Sequence, residues 1–131
     1  MISLDTNVLV RILTADDPAQ TRRATALLET LEHDDEQAYV SDIVFCELVW
    51  VLGRGYGHAR HDISRVLGQL LAARQLVFDA PDRLLRALDA FESGKGDFAD
   101  YLIREHAKAA GCDAVMTFDK KLLRDDLFKS P

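Results

Sequence analysis

Short apolar stretches alternate with amphipathic stretches along the chain, and this alternation predicts its elements. Apolar runs of strand length cover residues 1–4, 38–40, 76–78 and 114–118. Between them apolar residues recur every three or four positions, which predicts helices near 8–13, 18–31, 43–52, 63–71, 84–91 and 97–110. A short helix at 120–123 and a strand that includes Leu127 and Phe128 follow. Strands that alternate with helices predict a three-layer α/β fold, with helices on both faces of a mainly parallel central sheet.

Length and composition narrow the class of protein. The chain has 131 residues, of which 48% are hydrophobic, so we expect one domain over residues 1–131 and no extended disorder. No apolar run reaches the ~18 residues of a membrane span, and the N-terminal residues lack a secretory pattern. We therefore expect a cytoplasmic protein with no membrane partner. Cys46 and Cys112 are far apart beside apolar residues, and we expect them to be buried thiols.

The charge balance excludes one class of nucleic-acid-binding protein. The chain has 16 basic and 22 acidic residues, a formal net charge of −6. A protein that coats nucleic acid with an excess of basic residues is therefore excluded.

Two aspartates follow predicted strands. Asp5 comes after the first strand, and Asp119 comes after the strand at 114–118. Because ligands of parallel sheets bind beyond the carboxyl ends of the strands, we expect both aspartates at one edge of the sheet. Asn7 and Thr117 stand nearby and could orient a carboxylate or a water molecule. Helix capping for the aspartates, and turn formation for the other two, are the alternatives.

Three further acidic residues lie on predicted helices. Glu47 is the only charged residue of an apolar run at 43–52, so it needs a partner, a proton or a metal ion if it is buried. The alternatives are that it points outward or pairs with a distant arginine. Asp97 and Asp100 are three residues apart and share one helix face. Asp97 could instead cap this helix, while Asp100 could favour the helix dipole or pair with Arg104.

Clustered carboxylates repel one another, and a hard cation relieves that repulsion. Oxygen ligands without Cys or His favour Mg²⁺ or Mn²⁺, whose usual chemistry with water is phosphodiester hydrolysis. Two bound divalent ions would change the formal charge from −6 to −2, so a nucleic-acid substrate is compatible with this acidic chain. Four basic residues are candidates for contact with its phosphates: Arg11, Lys120, Lys121 and Arg124. Among the histidines, we expect His58 and His61 on the surface and His106 partly buried.

Four segments, in this order, resemble the motifs of PIN-domain nucleases: residues 2–9, residues 41–52 around Glu47, residues 97–103 and residues 117–122. Within that family, length and motif style are similar to those of VapC-type toxins, the ribonucleases of VapBC toxin–antitoxin pairs. The resemblance implies a PIN-like sandwich and an Mg²⁺- or Mn²⁺-dependent endoribonuclease that leaves a 5′-phosphate and a 3′-hydroxyl. It also implies a homodimer and inhibition by a VapB-type antitoxin.

The same resemblance assigns roles to single residues. It implies a catalytic and metal-binding quartet of Asp5, Glu47, Asp100 and Asp119, with Asp97 as an accompanying acidic metal ligand. Asn7 and Thr117 would support the metal ion or its water. The antitoxin would lie in an apolar groove for which Trp50 is a candidate, although a core tryptophan is the alternative.

Three other hypotheses compete with the nuclease. A haloacid-dehalogenase-like phosphatase also has an aspartate after its first strand, but it needs a second one where this chain has Asn7. A receiver domain could use Asp79 as its phospho-acceptor, but this leaves Glu47 unexplained. A PIN-like module that binds metal or nucleic acid without catalysis is the third.

Overall fold

Helices and short parallel strands alternate in the computed structural model, which describes residues 1–131. The chain divides into two compact units, Met1–Asp79 and Ala80–Pro131. In the first unit, three strands form a parallel sheet in the order β1-β2-β3, with Ile2 opposite Ala38 and Ala38 opposite Leu76. Its elements are β1 (Ile2–Ser3), α1 (Thr6–Thr14), α2 (Pro18–His33), β2 (Ala38–Tyr39), α3 (Asp42–Trp50), a π-helical turn (Val51–Gly55), α4 (Arg60–Leu71) and β3 (Leu76–Val77).

The helices of the first unit begin where the sequence supplies side-chain caps. Asp17 accepts a hydrogen bond from the Gln20 backbone N–H at 3.0 Å, and Pro18 occupies the first turn of α2. Ser41 accepts one from the Val44 backbone N–H at 3.2 Å at the start of α3. These caps fix the residues at which α2 and α3 begin.

Aromatic side chains contribute to the core of both units. In the first unit Phe45 of α3 meets Phe78 edge to face, with ring centroids 6.1 Å apart. In the second, Phe91 and Phe98 meet in the same way at 6.2 Å. Such pairs add to the free energy gained by burying apolar area.

The second unit is built on two packed helices and a small parallel sheet, in which Val115 lies opposite Phe128. Its elements are α5 (Pro81–Ser93), α6 (Phe98–Ala109), β4 (Val115–Met116), a 3₁₀ turn (Lys120–Leu122) and β5 (Phe128–Lys129). The loop between α5 and α6 approaches its neighbours very closely. A Cβ placed on Gly94 would lie 2.0 Å from the Tyr101 hydroxyl, and one on Gly96 would lie 2.4 Å from Leu122 Cδ2.

Helix α6 buries a charged residue that the sequence analysis did not place in the core. Glu105 is 2% exposed and accepts hydrogen bonds from Arg86 at 2.7 Å, Arg104 at 3.0 Å and Lys108 at 3.3 Å. Arg104 also pairs with Asp125. Burial raises the pKa of Glu105, but the hydrogen bonds from Arg86 and Lys108 and the charge of Arg104 outweigh burial and hold the pKa below its ordinary value.

Several expectations about single positions were wrong. His106 is exposed rather than partly buried, because α6 turns the neighbouring Glu105 inward. Cys112 is exposed and Cys46 half-buried, so neither is a fully buried thiol. Arg104 pairs with Glu105 and Asp125 rather than with Asp100.

The elements themselves differ from the expectations mainly in length. The first four strands span two residues each, shorter than the apolar runs that predict them. The last strand covers Phe128–Lys129 and leaves out Leu127. The helix over 43–52 does not stop at Gly53, because the π-helical turn extends it to Gly55. No helix combines the length and apolar character needed to cross a lipid bilayer.

Candidate functional site

Two of the predicted site residues, Asp5 and Glu47, are joined through Thr6 in the first unit. Asp5 caps α1 by accepting a hydrogen bond from the Thr6 backbone N–H at 2.7 Å. The Thr6 hydroxyl donates to Glu47 Oε2 at 2.6 Å, across 41 positions of sequence. Thr6 is buried, whereas both carboxylates are exposed. One threonine therefore orients two carboxylates from different helices.

Glu47 points outward, which was one of the alternatives left open for this residue. Its side chain is exposed because α3 is apolar on every face, and one apolar face lies at the surface. Ile43 is 73% exposed and Trp50 is 62% exposed on that helix. The expectation of a core tryptophan was therefore wrong, and Trp50 lies at the surface as an interaction residue would.

Thr6 is the residue that the sequence analysis missed. Asn7 is exposed and lines a cleft between α1 and α2, and its support of the site stays a prediction. A hydroxyl in the first turn of a helix, directly after a strand-end aspartate, was the available signal. It was not decisive, because the same residue could have served only to form a turn.

The second unit places Asp97 and Asp100 at the start of α6. Asp100 Oδ2 accepts a hydrogen bond from the Asp97 backbone N–H at 2.8 Å. This contact is one half of a capping arrangement, so the capping alternative holds for this pair. It occupies only one Asp100 oxygen, so the second remains available to a cation.

Asp119 lies at the start of the 3₁₀ turn. Its Oδ1 accepts a hydrogen bond from the Lys121 backbone N–H at 3.0 Å, and its own N–H donates to the Thr117 hydroxyl at 3.0 Å. The Lys121 ammonium lies 3.7 Å from Asp119 Oδ2. Phe118, which lies between Thr117 and Asp119 in the sequence, is 88% exposed, so the apolar run at 114–118 overestimated the strand.

The four candidates for phosphate contact differ in whether an acidic side chain already pairs with them. Lys120 and Arg124 are exposed near Asp119 in the chain. Lys121 is directed to Asp119 and is less available to a phosphate. Arg11 pairs with Asp16 at 3.1 Å and is 26% exposed.

The chemistry of the acidic residues fits a hard divalent cation. Each unit contributes only carboxylate and hydroxyl oxygens, which suit Mg²⁺ or Mn²⁺ and not zinc. Within neither unit do three or more His, Cys, Asp or Glu side chains form a group that could hold a metal ion. The first unit brings Asp5 and Glu47 together through Thr6, and the second holds Asp97 beside Asp100.

Comparison with known proteins decides the family. A family model described as "PIN domain" matches residues 2–126. The chain belongs to the PIN domain family. This PIN domain chain is 27% identical over 118 residues to "VapC ribonuclease" from Aquifex aeolicus (strain VF5), a match that covers 90% of this chain and 87% of the relative. It also aligns with a chain of a solved "Toxin-antitoxin complex from Klebsiella pneumoniae" at 20% identity and a TM-score of 0.37, covering 100% of this chain and 98% of that one.

These findings confirm the resemblance to VapC-type PIN domains and the α/β class with parallel strands. Membership of the PIN domain family excludes the phosphatase and the receiver domain. Asp79, the acceptor in the receiver hypothesis, instead accepts a hydrogen bond from the Tyr39 hydroxyl at 2.6 Å. That bond raises the pKa of Tyr39. That residues 1–131 form a single domain stays a prediction.

Proposed function

We propose that the protein is an Mg²⁺- or Mn²⁺-dependent endoribonuclease and the toxin of a type II toxin–antitoxin pair. Membership of the PIN domain family and similarity to a VapC ribonuclease support a nuclease of this type. The single observation that carries the proposal is the hydrogen-bonded group of Asp5, Thr6 and Glu47. A buried threonine holds Glu47 by its hydroxyl and Asp5 by its backbone N–H, and hydrogen bonds of this kind orient the carboxylates that bind metal ions.

Five acidic residues are the proposed catalytic and metal-binding set. Asp5, Glu47, Asp100 and Asp119 would bind the cation, and Asp97 would assist. In this role Thr6 holds Glu47 by its hydroxyl, and the Asp97 N–H holds Asp100. Thr117 accepts from the Asp119 backbone and so orders the turn that carries this carboxylate.

The proposed reaction is the attack of water on an RNA phosphodiester, in line with the departing 3′ oxygen. A bond forms between the water oxygen and phosphorus, the bond to the 3′ oxygen breaks, and that oxygen takes up a proton. The products are a 5′-phosphate and a 3′-hydroxyl. The bound cation supplies positive charge that activates the water and stabilises the departing oxygen. The chain's own residues hold the carboxylates in fixed orientations, which limits the reorganisation needed during the reaction.

The proposed partners are RNA as substrate, a VapB-type antitoxin as inhibitor and a second copy of the chain. The exposed apolar residues Ile43 and Trp50 lie on the same helix as Glu47. A segment of the antitoxin that covers them would lie beside this carboxylate. The proposed location is the cytoplasm, where such an RNA substrate is found.

The test is cleavage of end-labelled total cellular RNA by the purified, antitoxin-free protein in Mg²⁺, in Mn²⁺ and in EDTA. Asp100→Asn keeps an oxygen that can accept from the Asp97 N–H, so the helix start should be preserved. We expect this variant to lower the cleavage rate by about 100-fold or more. Asp126→Asn removes the same charge from an exposed aspartate of the same unit and should cut at the wild-type rate.

A second readout does not depend on finding the right RNA. Mn²⁺ added to the EDTA-treated protein should raise its melting temperature, and Asp100→Asn should reduce that shift. Discrete cuts that need metal and disappear in Asp100→Asn would support the nuclease, and adding the antitoxin should suppress them. Metal binding without any cutting would favour a non-catalytic PIN module. Equal cutting by all three proteins would reveal a contaminant and reject the proposal.

A further inference from the structure

A cleft between α1 and α2 lies beside the first turn of α1 and has no assigned role. Its volume is about 320 Å³. That is the size range of pockets that bind small molecules. Its lining combines polar and apolar side chains and contains no acidic residue: Asn7, Val8, Arg11, Gln20, Arg23, Ala24 and Leu27.

The residues that line the cleft include basic but no acidic side chains, although the chain as a whole carries −6. Two arginines, Arg11 and Arg23, contribute to its lining. Arg23 is exposed and makes no ion pair, so its guanidinium is available to an anion. Arginine binds phosphate in a planar, two-pronged geometry, which makes phosphate the best-matched anion.

Arg11 is held in position before any ligand arrives. Its Nε donates to Gln20 Oε1 at 2.6 Å, and its Nη1 donates to Asp16 Oδ1 at 3.1 Å. Asp16 in turn accepts from the hydroxyls of Tyr56 and Thr14. The hydrogen bond from Tyr56 is the main cause that lowers the pKa of Asp16, so this carboxyl stays ionised and keeps Arg11 in place. The remaining N–H groups of Arg11 are left for a ligand.

The apolar part of the lining indicates more than a free phosphate. Val8, Ala24 and Leu27 supply an apolar surface beside the two guanidinium groups. A nucleotide has the matching combination, with a charged phosphate and flat ring surfaces. Asn7 adds an amide that can hydrogen-bond to a base edge, and it is two residues from Asp5 in the sequence.

We propose that this cleft binds one nucleotide of an RNA strand, next to the phosphate that is cleaved. Arg23 and Arg11 contact its phosphate, and the apolar surface receives its base or ribose. The proposal rests on the proposed nuclease function and adds a substrate subsite to it. Neighbouring phosphates of one strand would then be held by the arginines of this cleft and by the candidate acidic site.

The test compares two adjacent arginines of α2. Arg23→Gln removes a charge from the cleft, whereas Arg22→Gln removes the same charge from an exposed residue that does not line it. The probe is a fluorescent pool of random-sequence single-stranded RNA, measured by anisotropy in Mg²⁺. Both substitutions are made in the Asp100→Asn protein, so that no cutting occurs during the measurement.

We expect Arg23→Gln to weaken RNA binding by about tenfold. It should also lower, by about one, the number of counterions released on binding, which is measured from the slope of log affinity against log salt concentration. Arg22→Gln should change the affinity by less than about twofold, and Arg23→Lys should recover part of the loss. Equal affinities for Arg23→Gln and Arg22→Gln would overturn the proposal and leave the cleft to another anion, such as an acidic peptide. Because binding is measured without cleavage, weakened binding by Arg23→Gln would support the subsite even if no RNA were cut.

Discussion

At the scale of single residues, substitution of Thr6 has the most specific expected effect on cleavage. Its hydroxyl is the donor to Glu47, and its backbone N–H is the donor to Asp5. Thr6→Val keeps the shape and the backbone bond but removes the hydroxyl, so only Glu47 loses its donor. We expect the cleavage rate to fall by about 10- to 100-fold, the range seen when a group that orients a metal ligand is removed.

The concentration of Mn²⁺ that gives half-maximal cleavage distinguishes two explanations for a loss of activity. One is that Thr6 positions Glu47, and the other is that the substitution destabilises the protein as a whole. Thr6→Val should raise this concentration, whereas Thr6→Ser retains the hydroxyl and should stay close to wild type. If Thr6→Val and Thr6→Ser lose activity equally, with no change in the Mn²⁺ requirement, Thr6 only fills space.

The exposure of Glu47 could not be read from the sequence. An apolar run normally indicates burial, but α3 presents Ile43 and Trp50 to the surface as well as Phe45 to the core. Hydrophobicity alone does not say which apolar face the fold itself covers. The opposite error occurred on α6, where Glu105 is buried because Arg86 of α5, far away in sequence, neutralises it.

At the scale of elements, the loop between α5 and α6 sets where the helix that bears Asp97 and Asp100 begins. Gly94 packs so closely that an added Cβ would lie 2.7 Å from the Ala90 carbonyl oxygen and 2.0 Å from the Tyr101 hydroxyl. Neither neighbour moves easily, since one is backbone and the other is the end of a buried ring. We expect Gly94→Ala to lower the free energy of unfolding by about 1–3 kcal/mol, measured by urea denaturation.

Gly68 provides the matched control for this change. It lies within α4, and a Cβ there would meet nothing within 4 Å. Because alanine has a higher helix propensity than glycine, Gly68→Ala should stabilise the protein by about 0.5–1 kcal/mol. Destabilisation by both substitutions would mean that close packing at Gly94 is not the cause.

The helix starts were the most predictable feature of the elements, because their signals are local. Asp17 before Pro18 and Ser41 before the apolar run at 43–52 cap their helices with side-chain oxygens. The strand ends and the π-helical turn at 51–55 were not predictable in the same way. They depend on pairing and packing with parts of the chain that are distant in sequence.

At the scale of the whole molecule, one buried carboxylate contributes to stability in acid. Most of the 22 acidic residues can be protonated at the surface with little effect on folding. Glu105 is different, because its ionised form accepts hydrogen bonds from three basic side chains and its pKa is lowered in the folded state. Glu105 therefore contributes fully to the free energy of unfolding above the pKa of about 4.5 that it has in the unfolded chain. This contribution is lost as the pH falls through the lower pKa that Glu105 has in the folded protein.

Glu105→Gln should lower the free energy of unfolding by about 1.5–3 kcal/mol at pH 7, because it removes charge-assisted hydrogen bonds from the interior. The difference from wild type should shrink as the pH falls below about 4.5, since the wild-type side chain then becomes neutral as well. Urea denaturation at pH 7 and near pH 3 measures both quantities. Glu29→Gln, an exposed change on α2, should have an effect within about 0.5 kcal/mol at either pH. A loss in Glu105→Gln that is the same at both pH values would mean that packing, rather than the charge of Glu105, stabilises this part of the molecule.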